Sequence, residues 1–118
     1  MAKIMIVDDS KFMRGIIRSA LEEGGHTVIA EAENGNDAVE FYKQHKPDVV
    51  TMDVTMWGKD GVEALEDITK FDADAKIIMV SALNETTMKG TRTSVNAKAY
   101  LTKPFTKEQL LSAVNSLI

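Results

Sequence analysis

Five side chains carry the chemistry open to this chain: Asp8, Asp9, Asp53, Ser81 and Lys103. Each lies just past, or at the end of, a short apolar run. Ile4-Met5-Ile6-Val7 stops at the aspartate pair, and Val49-Val50-Thr51-Met52 stops at Asp53. Ile77-Ile78-Met79-Val80 stops at Ser81, and Ala99-Tyr100-Leu101-Thr102 stops at Lys103. Carboxylates gathered in one crevice repel one another unless a cation sits among them. Oxygen ligands with no His or Cys nearby suit magnesium, which keeps waters and accepts a phosphate oxygen. A carboxylate can itself attack phosphorus to give an aspartyl phosphate. A metal ion and a lysine neutralise charge on the transferring group, and a serine hydroxyl can donate to a phosphoryl oxygen. The set lacks a base to activate water, so it suits accepting and holding a phosphate better than rapid hydrolysis.

Taken singly, these residues are ambiguous. An aspartate pair after a strand is often only a turn, and a lone lysine is usually solvated. Their recurrence at successive strand ends is what selects them, and that depends on the elements.

Short β-branched runs alternate five times with longer amphipathic stretches. The predicted strands cover residues 4–7, 27–32, 48–52, 76–80 and 99–102. Residues 11–23 predict a helix with an inward stripe of Phe12, Met13, Ile16, Ile17, Ala20 and Leu21, ended by Gly24-Gly25. A helix through about His45 buries Ala38, Phe41 and Tyr42, and one after Gly61 turns Val62, Leu65 and Ile68 inward. The stretch 84–95 predicts a poor helix, rich in threonine and interrupted by Gly90. The last helix has the clearest signals: a capping box of Thr106 and Gln109, a Phe105–Leu110 staple, and a stripe of Leu110, Ala113, Val114 and Leu117. Five βα units with apolar strands predict a parallel sheet covered on both faces. The flavodoxin-like order 2-1-3-4-5 is one of the few topologies left by right-handed crossovers, and it places ligands beyond strands 1 and 3.

The 118 residues predict one domain spanning 1–118, with 44% hydrophobic and 27% charged residues. The absence of cysteine excludes disulfides and thiolate metal sites. A net charge of −4 and a pI near 5.1 argue against nonspecific nucleic-acid binding. No apolar run approaches the roughly 20 residues needed to span a bilayer, and the start leads straight into a strand. A cytoplasmic, monomeric protein is expected.

Val7-Asp8-Asp9-Ser10, Met52-Asp53-Val54-Thr55-Met56, Asp60-Gly61, Val80-Ser81-Ala82 and Lys103-Pro104-Phe105 together resemble the receiver domain of two-component response regulators. The likeness runs the whole length and is closest to single-domain members of the CheY type. It implies that Asp53 is the phosphoacceptor, with autophosphorylation and slow autodephosphorylation rather than turnover as an enzyme. It implies that Asp9, Asp53 and the Thr55 backbone carbonyl ligate Mg2+, with Asp8 acting mainly through water. Ser81 would bind a phosphoryl oxygen, Lys103 would pair with the phosphate, and the Lys103-Pro104 bond would be cis. Tyr100 matches an aromatic switch position, although a half-buried strand aromatic would look the same. The implied donor is a histidine kinase of the chemotaxis type. The implied target meets the face formed by residues 84–95, the fifth strand and the last helix, and is a flagellar motor switch or another protein. A phosphatase is a further partner.

Three departures stand out. Trp57 occupies the place where most receivers have proline, as a partner contact or a cover for its own loop, and Lys59 replaces an apolar residue. Asn96 replaces a glycine and tolerates a left-handed turn. Other functions fit less well. A phosphorelay intermediate or phosphate sink uses the same residues. An aspartyl phosphohydrolase of the haloacid dehalogenase type needs Asp-x-Asp, and Thr55 stands at its second position. A flavin carrier needs a phosphate-cradling loop where Asp8-Asp9-Ser10-Lys11 lies. A phosphorylation-independent interaction domain would be favoured by a missing acceptor or lysine, and neither is missing.

Overall fold

The computed structural model describes residues 2–54, 61–81 and 97–118. The chain runs β1 (Lys3–Val7), α1 (Lys11–Glu23), β2 (Thr27–Ala32), α2 (Gly35–His45), β3 (Val49–Asp53), α3 (Gly61–Phe71), β4 (Ile77–Ser81), β5 (Ala99–Thr102) and α4 (Lys107–Asn115). The five strands form one sheet in the order β2-β1-β3-β4-β5, and every neighbouring pair is parallel. This is the expected flavodoxin-like arrangement. The expected helix over 84–95, with Asn96 after it, lies outside the described residues.

Alternation along the strands builds two cores, one on each side of the sheet. Met5, Val7, Val50, Met52, Ile77 and Met79 pack with Ala38, Tyr42, Ala64, Leu65 and Ile68 of α2 and α3. Ile4, Ile6, Val49, Ile78 and Val80 pack with Ile17, Leu21, Leu110 and Val114 of α1 and α4. Strands buried on both faces need continuous apolar runs, which is why these segments show no polar alternation.

The α1 stripe is narrower than its sequence implies. Ile17, Ala20 and Leu21 are buried and Met13 packs at their edge, but Phe12 is 76% exposed and Ile16 45% exposed. At 100° per residue, positions 12 and 16 fall one step round from the 13, 17, 20, 21 row, beyond the reach of the sheet. In α3, Leu65 and Ile68 point inward as expected, Val62 is only half-buried, and Ala64 joins the core.

Helix ends follow local chemistry. Ser10 caps α1 by accepting from Met13 N–H, and Asn34 caps α2 by accepting from Asp37 N–H. The Thr106–Gln109 capping box is formed, and Phe105 packs on the same core as Leu110. Gly25, at φ +86°, turns the chain out of α1, whereas α2 ends on Lys46 at φ +47° without a glycine. His26 is buried rather than loosely placed at a turn. Its Nδ1 accepts from Ala2 N–H at 3.1 Å, so Nε2 carries the proton that Asn115 Oδ1 accepts at 3.1 Å.

One core position breaks the apolar pattern. Thr51 is 1% exposed between Ile6 and Ile78, and among the described residues its hydroxyl has no hydrogen-bond partner. A buried hydroxyl left unsatisfied costs about 1–3 kcal/mol, and valine has nearly the same shape. Thr51→Val should therefore raise the urea midpoint, by an amount equivalent to about 1 kcal/mol, with an unchanged m value.

Candidate functional site

The register of the sheet assembles the site. Val7 lies opposite Met52, so the chain leaves β1 into Asp8 level with Asp53 on β3. Asp53 lies opposite Val80, and Ser81 opposite Thr102, which brings the ends of β4 and β5 alongside. Backbone bonds carry the alignment one residue past the strands. Asp8 N–H donates to Ala32 O at 3.0 Å, and Lys103 N–H donates to Ser81 O at 2.7 Å.

Carboxylate oxygens of Asp8, Asp9 and Asp53 all lie within 4.8 Å of one another. Asp8 and Asp53 are 2% and 8% exposed, while Asp9 faces solvent. At an effective dielectric of about 20, two such charges repel by roughly 3 kcal/mol, with the exposed Asp9 contributing less. Two features offset this. Lys103 Nζ lies 3.4 Å from Asp8 Oδ2 and 3.7 Å from Asp53 Oδ1. Ser10 N–H donates to Asp8 Oδ1 at 2.9 Å. One half-buried ammonium among three carboxylates leaves net negative charge facing solvent, with hard oxygen donors gathered closely enough to hold a divalent cation.

The sheet thus brings together Asp8, Asp9, Asp53 and Lys103 as expected, with Ser81 buried at the end of β4. The Lys103-Pro104 bond is cis. Tyr100 is half-buried on β5 and packs against the α2–α3 core. Thr55, Met56, Trp57 and Lys59 lie outside the described residues.

Two groups support the site from behind. Gly61 opens α3 directly behind Asp53, its N–H donating to Val54 O at 2.9 Å. A side chain there would collide with the Asp53 carbonyl oxygen and the Val54 Cα, both backbone atoms that cannot swing aside. The second group is ionic. Arg14 and Arg18, one turn apart on α1, both bond Glu31 on β2, at 3.0 and 2.8 Å. Burial disfavours the Glu31 charge, but the hydrogen bonds from Arg18 and Arg14 outweigh it and hold the carboxyl below its usual range. The i, i+4 spacing of the arginines was visible in sequence; their common partner was not.

In an open parallel α/β sheet of this order, ligands bind beyond the carboxyl ends of β1 and β3, which is where the three aspartates and the lysine lie. The chain belongs to the response regulator receiver domain family, whose pattern it matches over residues 4–115. It is 47% identical over 116 residues to the chemotaxis protein CheY of Bacillus subtilis, covering 98% of this chain and 97% of that one. Among solved structures, Thermotoga maritima TrrA in complex with Mg2+ and BeF superposes with a TM-score of 0.91 at 31% identity, covering all of both chains. CheY in the CheX–CheY–BeF3–Mg2+ complex of Borrelia burgdorferi superposes with a TM-score of 0.90 at 36% identity, covering 97% of this chain and 87% of that one. The protein is therefore a receiver domain of two-component signalling, related to the CheY proteins of chemotaxis and to a family of switches rather than enzymes.

Two tests follow from this geometry. Gly61→Ala should cost about 1–3 kcal/mol in urea unfolding, because the backbone behind Asp53 must shift. The ordinary carboxyl value for Glu31 is 4.5 and its folded value lies lower, so its contribution is present above 4.5 and is lost as pH falls through the folded value. The stability gap between wild type and Glu31→Gln should be widest near neutral pH and shrink as pH falls below 4.5.

Proposed function

We propose that the chain, as one receiver domain over 1–118, accepts a phosphoryl group on Asp53 from a histidine kinase of the chemotaxis type. The observation that carries this reading is the convergence of Asp8, Asp9 and Asp53 with the Lys103 ammonium over two of them. The donor set fits Mg2+. Asp9 and Asp53 would ligate it directly, Asp8 would act through water, and Thr55 would offer its carbonyl. When bound, the ion neutralises charge on the phosphoryl oxygens. Asp53 Oδ attacks phosphorus while the bond to the donor nitrogen breaks, and the electron pair leaves with the imidazole. Lys103 meets the phosphate charge, and the Ser81 hydroxyl donates to a phosphoryl oxygen. No residue of the described set is placed as a strong base towards water, which suits a phosphate that persists long enough to be read.

The readout is a change in affinity for a target, since a two-state equilibrium shifts only through differential binding. Tyr100 on β5 would follow Ser81, altering the face of residues 84–95, β5 and α4. A flagellar motor switch protein fits as target, given the resemblance to CheY, and a phosphatase would remove the signal. Among the described residues no helix is long and apolar enough to cross a membrane, consistent with the cytoplasmic monomer this role requires.

Incubation with Mg2+ and a small phosphodonor should add the mass of one phosphoryl group, mapped by hydroxylamine cleavage to Asp53. The gain should vanish with chelator and in Asp53→Asn. Modification at another residue, or an undiminished gain in Asp53→Asn, would overturn the assignment.

A further inference from the structure

The arginines behind the acid loop do more than pair with Glu31. Arg14 has a side chain only 12% exposed and spans two elements. Its Nε donates to Glu31 Oε1 at 3.0 Å, and a terminal nitrogen donates to the Asp8 backbone carbonyl at 2.6 Å. Glu31 is rooted in the sheet opposite Ile6, and its other oxygen is held by Arg18 at 2.8 Å. Arg18 in turn reaches Glu22 at 3.2 Å. The guanidinium is thus anchored from the sheet side before it meets the loop.

We propose that Arg14 is a positioning residue for the cation site, acting through the Asp8–Asp9 peptide. The inference rests on the reading that the three aspartates bind a divalent cation. Every other polar group of Asp8 is already fixed: its N–H by Ala32, Oδ1 by Ser10 N–H, and Oδ2 by Lys103. Among the described residues the Asp9 side chain, by contrast, accepts no hydrogen bond, and it faces solvent. Its placement depends on the backbone. A peptide unit is planar, so fixing the Asp8 carbonyl oxygen fixes the Asp9 N–H and Cα with it. Arg14 therefore sets the direction from which the Asp9 carboxylate meets Asp8 and Asp53. Glu31 orients Arg14 and also balances its charge, which would otherwise compete with a cation.

The charge and the positioning of Arg14 act in opposite directions, which makes the idea decidable. Removing a positive charge beside the site strengthens cation binding; releasing the peptide weakens it. Loss of outer contacts that orient metal ligands typically costs roughly 10–100-fold in affinity. Mg2+ affinity should be measured by calorimetry, with Mn2+ detected by electron paramagnetic resonance as a second readout. The proteins are wild type, Arg14→Ala, Arg14→Lys and Glu31→Gln, each checked for folding by urea titration in chelator. Arg14→Ala should bind at least about tenfold more weakly. Arg14→Lys should recover part of the loss, since an ammonium can reach the carbonyl but cannot also fork to Glu31. Glu31→Gln should weaken binding less than Arg14→Ala, with every metal ligand intact. Unchanged or tighter binding by folded Arg14→Ala overturns the proposal while leaving the acceptor reading in place. Absence of Mg2+ binding by wild type would sink the acceptor reading itself, and this inference with it. If Arg14→Ala does not fold, Arg14→Lys and Glu31→Gln decide: wild-type affinity in both overturns the proposal.

Discussion

The structure is organised around the mutual repulsion of Asp8, Asp9 and Asp53. Two of the three are buried, and the parallel register of β1 and β3 leaves them no room to separate. In a mobile loop such carboxylates would simply drift apart. At the ends of packed strands they cannot, because moving them means breaking ladder hydrogen bonds and opening a close-packed core. Lys103 relieves part of that tension, and a divalent cation of the kind proposed would relieve more.

The surrounding groups make sense as responses to that constraint. Lys103 reaches across from beyond β5 and supplies a partial counter-charge, close enough to two carboxylates to pair with either. The aspartate loop is tied from three sides, by Ala32 on β2, by the cap at Ser10 and by Arg14 on α1. Gly61 lets α3 start against the Asp53 backbone, so that carboxylate is braced from behind. The two apolar cores hold the sheet in place against these forces from both faces.

Much of this was legible in the sequence because it depends on patterns of period and position. Apolar runs that stop at Asp8, Asp53, Ser81 and Lys103 name the strand ends, and the Thr106–Gln109 box marks the last helix. The less legible features share one cause: they depend on which element comes to lie beside another. Nothing in the residues of α1 says that Phe12 and Ile16 look outward while Ile17 and Leu21 look inward, since all four are apolar. The link from Arg14 to Glu31 and the Asp8 carbonyl joins segments whose closeness appears only once β2 lies beside β1. The burial of His26 is hidden in the sequence because its donor and acceptor partners, Ala2 and Asn115, stand at opposite ends of the chain. Lys46 closes α2 in a left-handed conformation where glycine is the usual signal.

Repulsion among the three carboxylates should strain the protein until a divalent cation joins them. This is tested most directly by unfolding wild type and Asp9→Asn in urea, with chelator and then with saturating Mg2+. Asp9 suits the test because its side chain accepts no hydrogen bond among the described residues, so the substitution removes charge and little else. Without Mg2+, Asp9→Asn should be the more stable protein; with Mg2+, wild type should gain far more stability and the order should reverse. Equal stability in chelator together with an equal gain from Mg2+ would contradict the account.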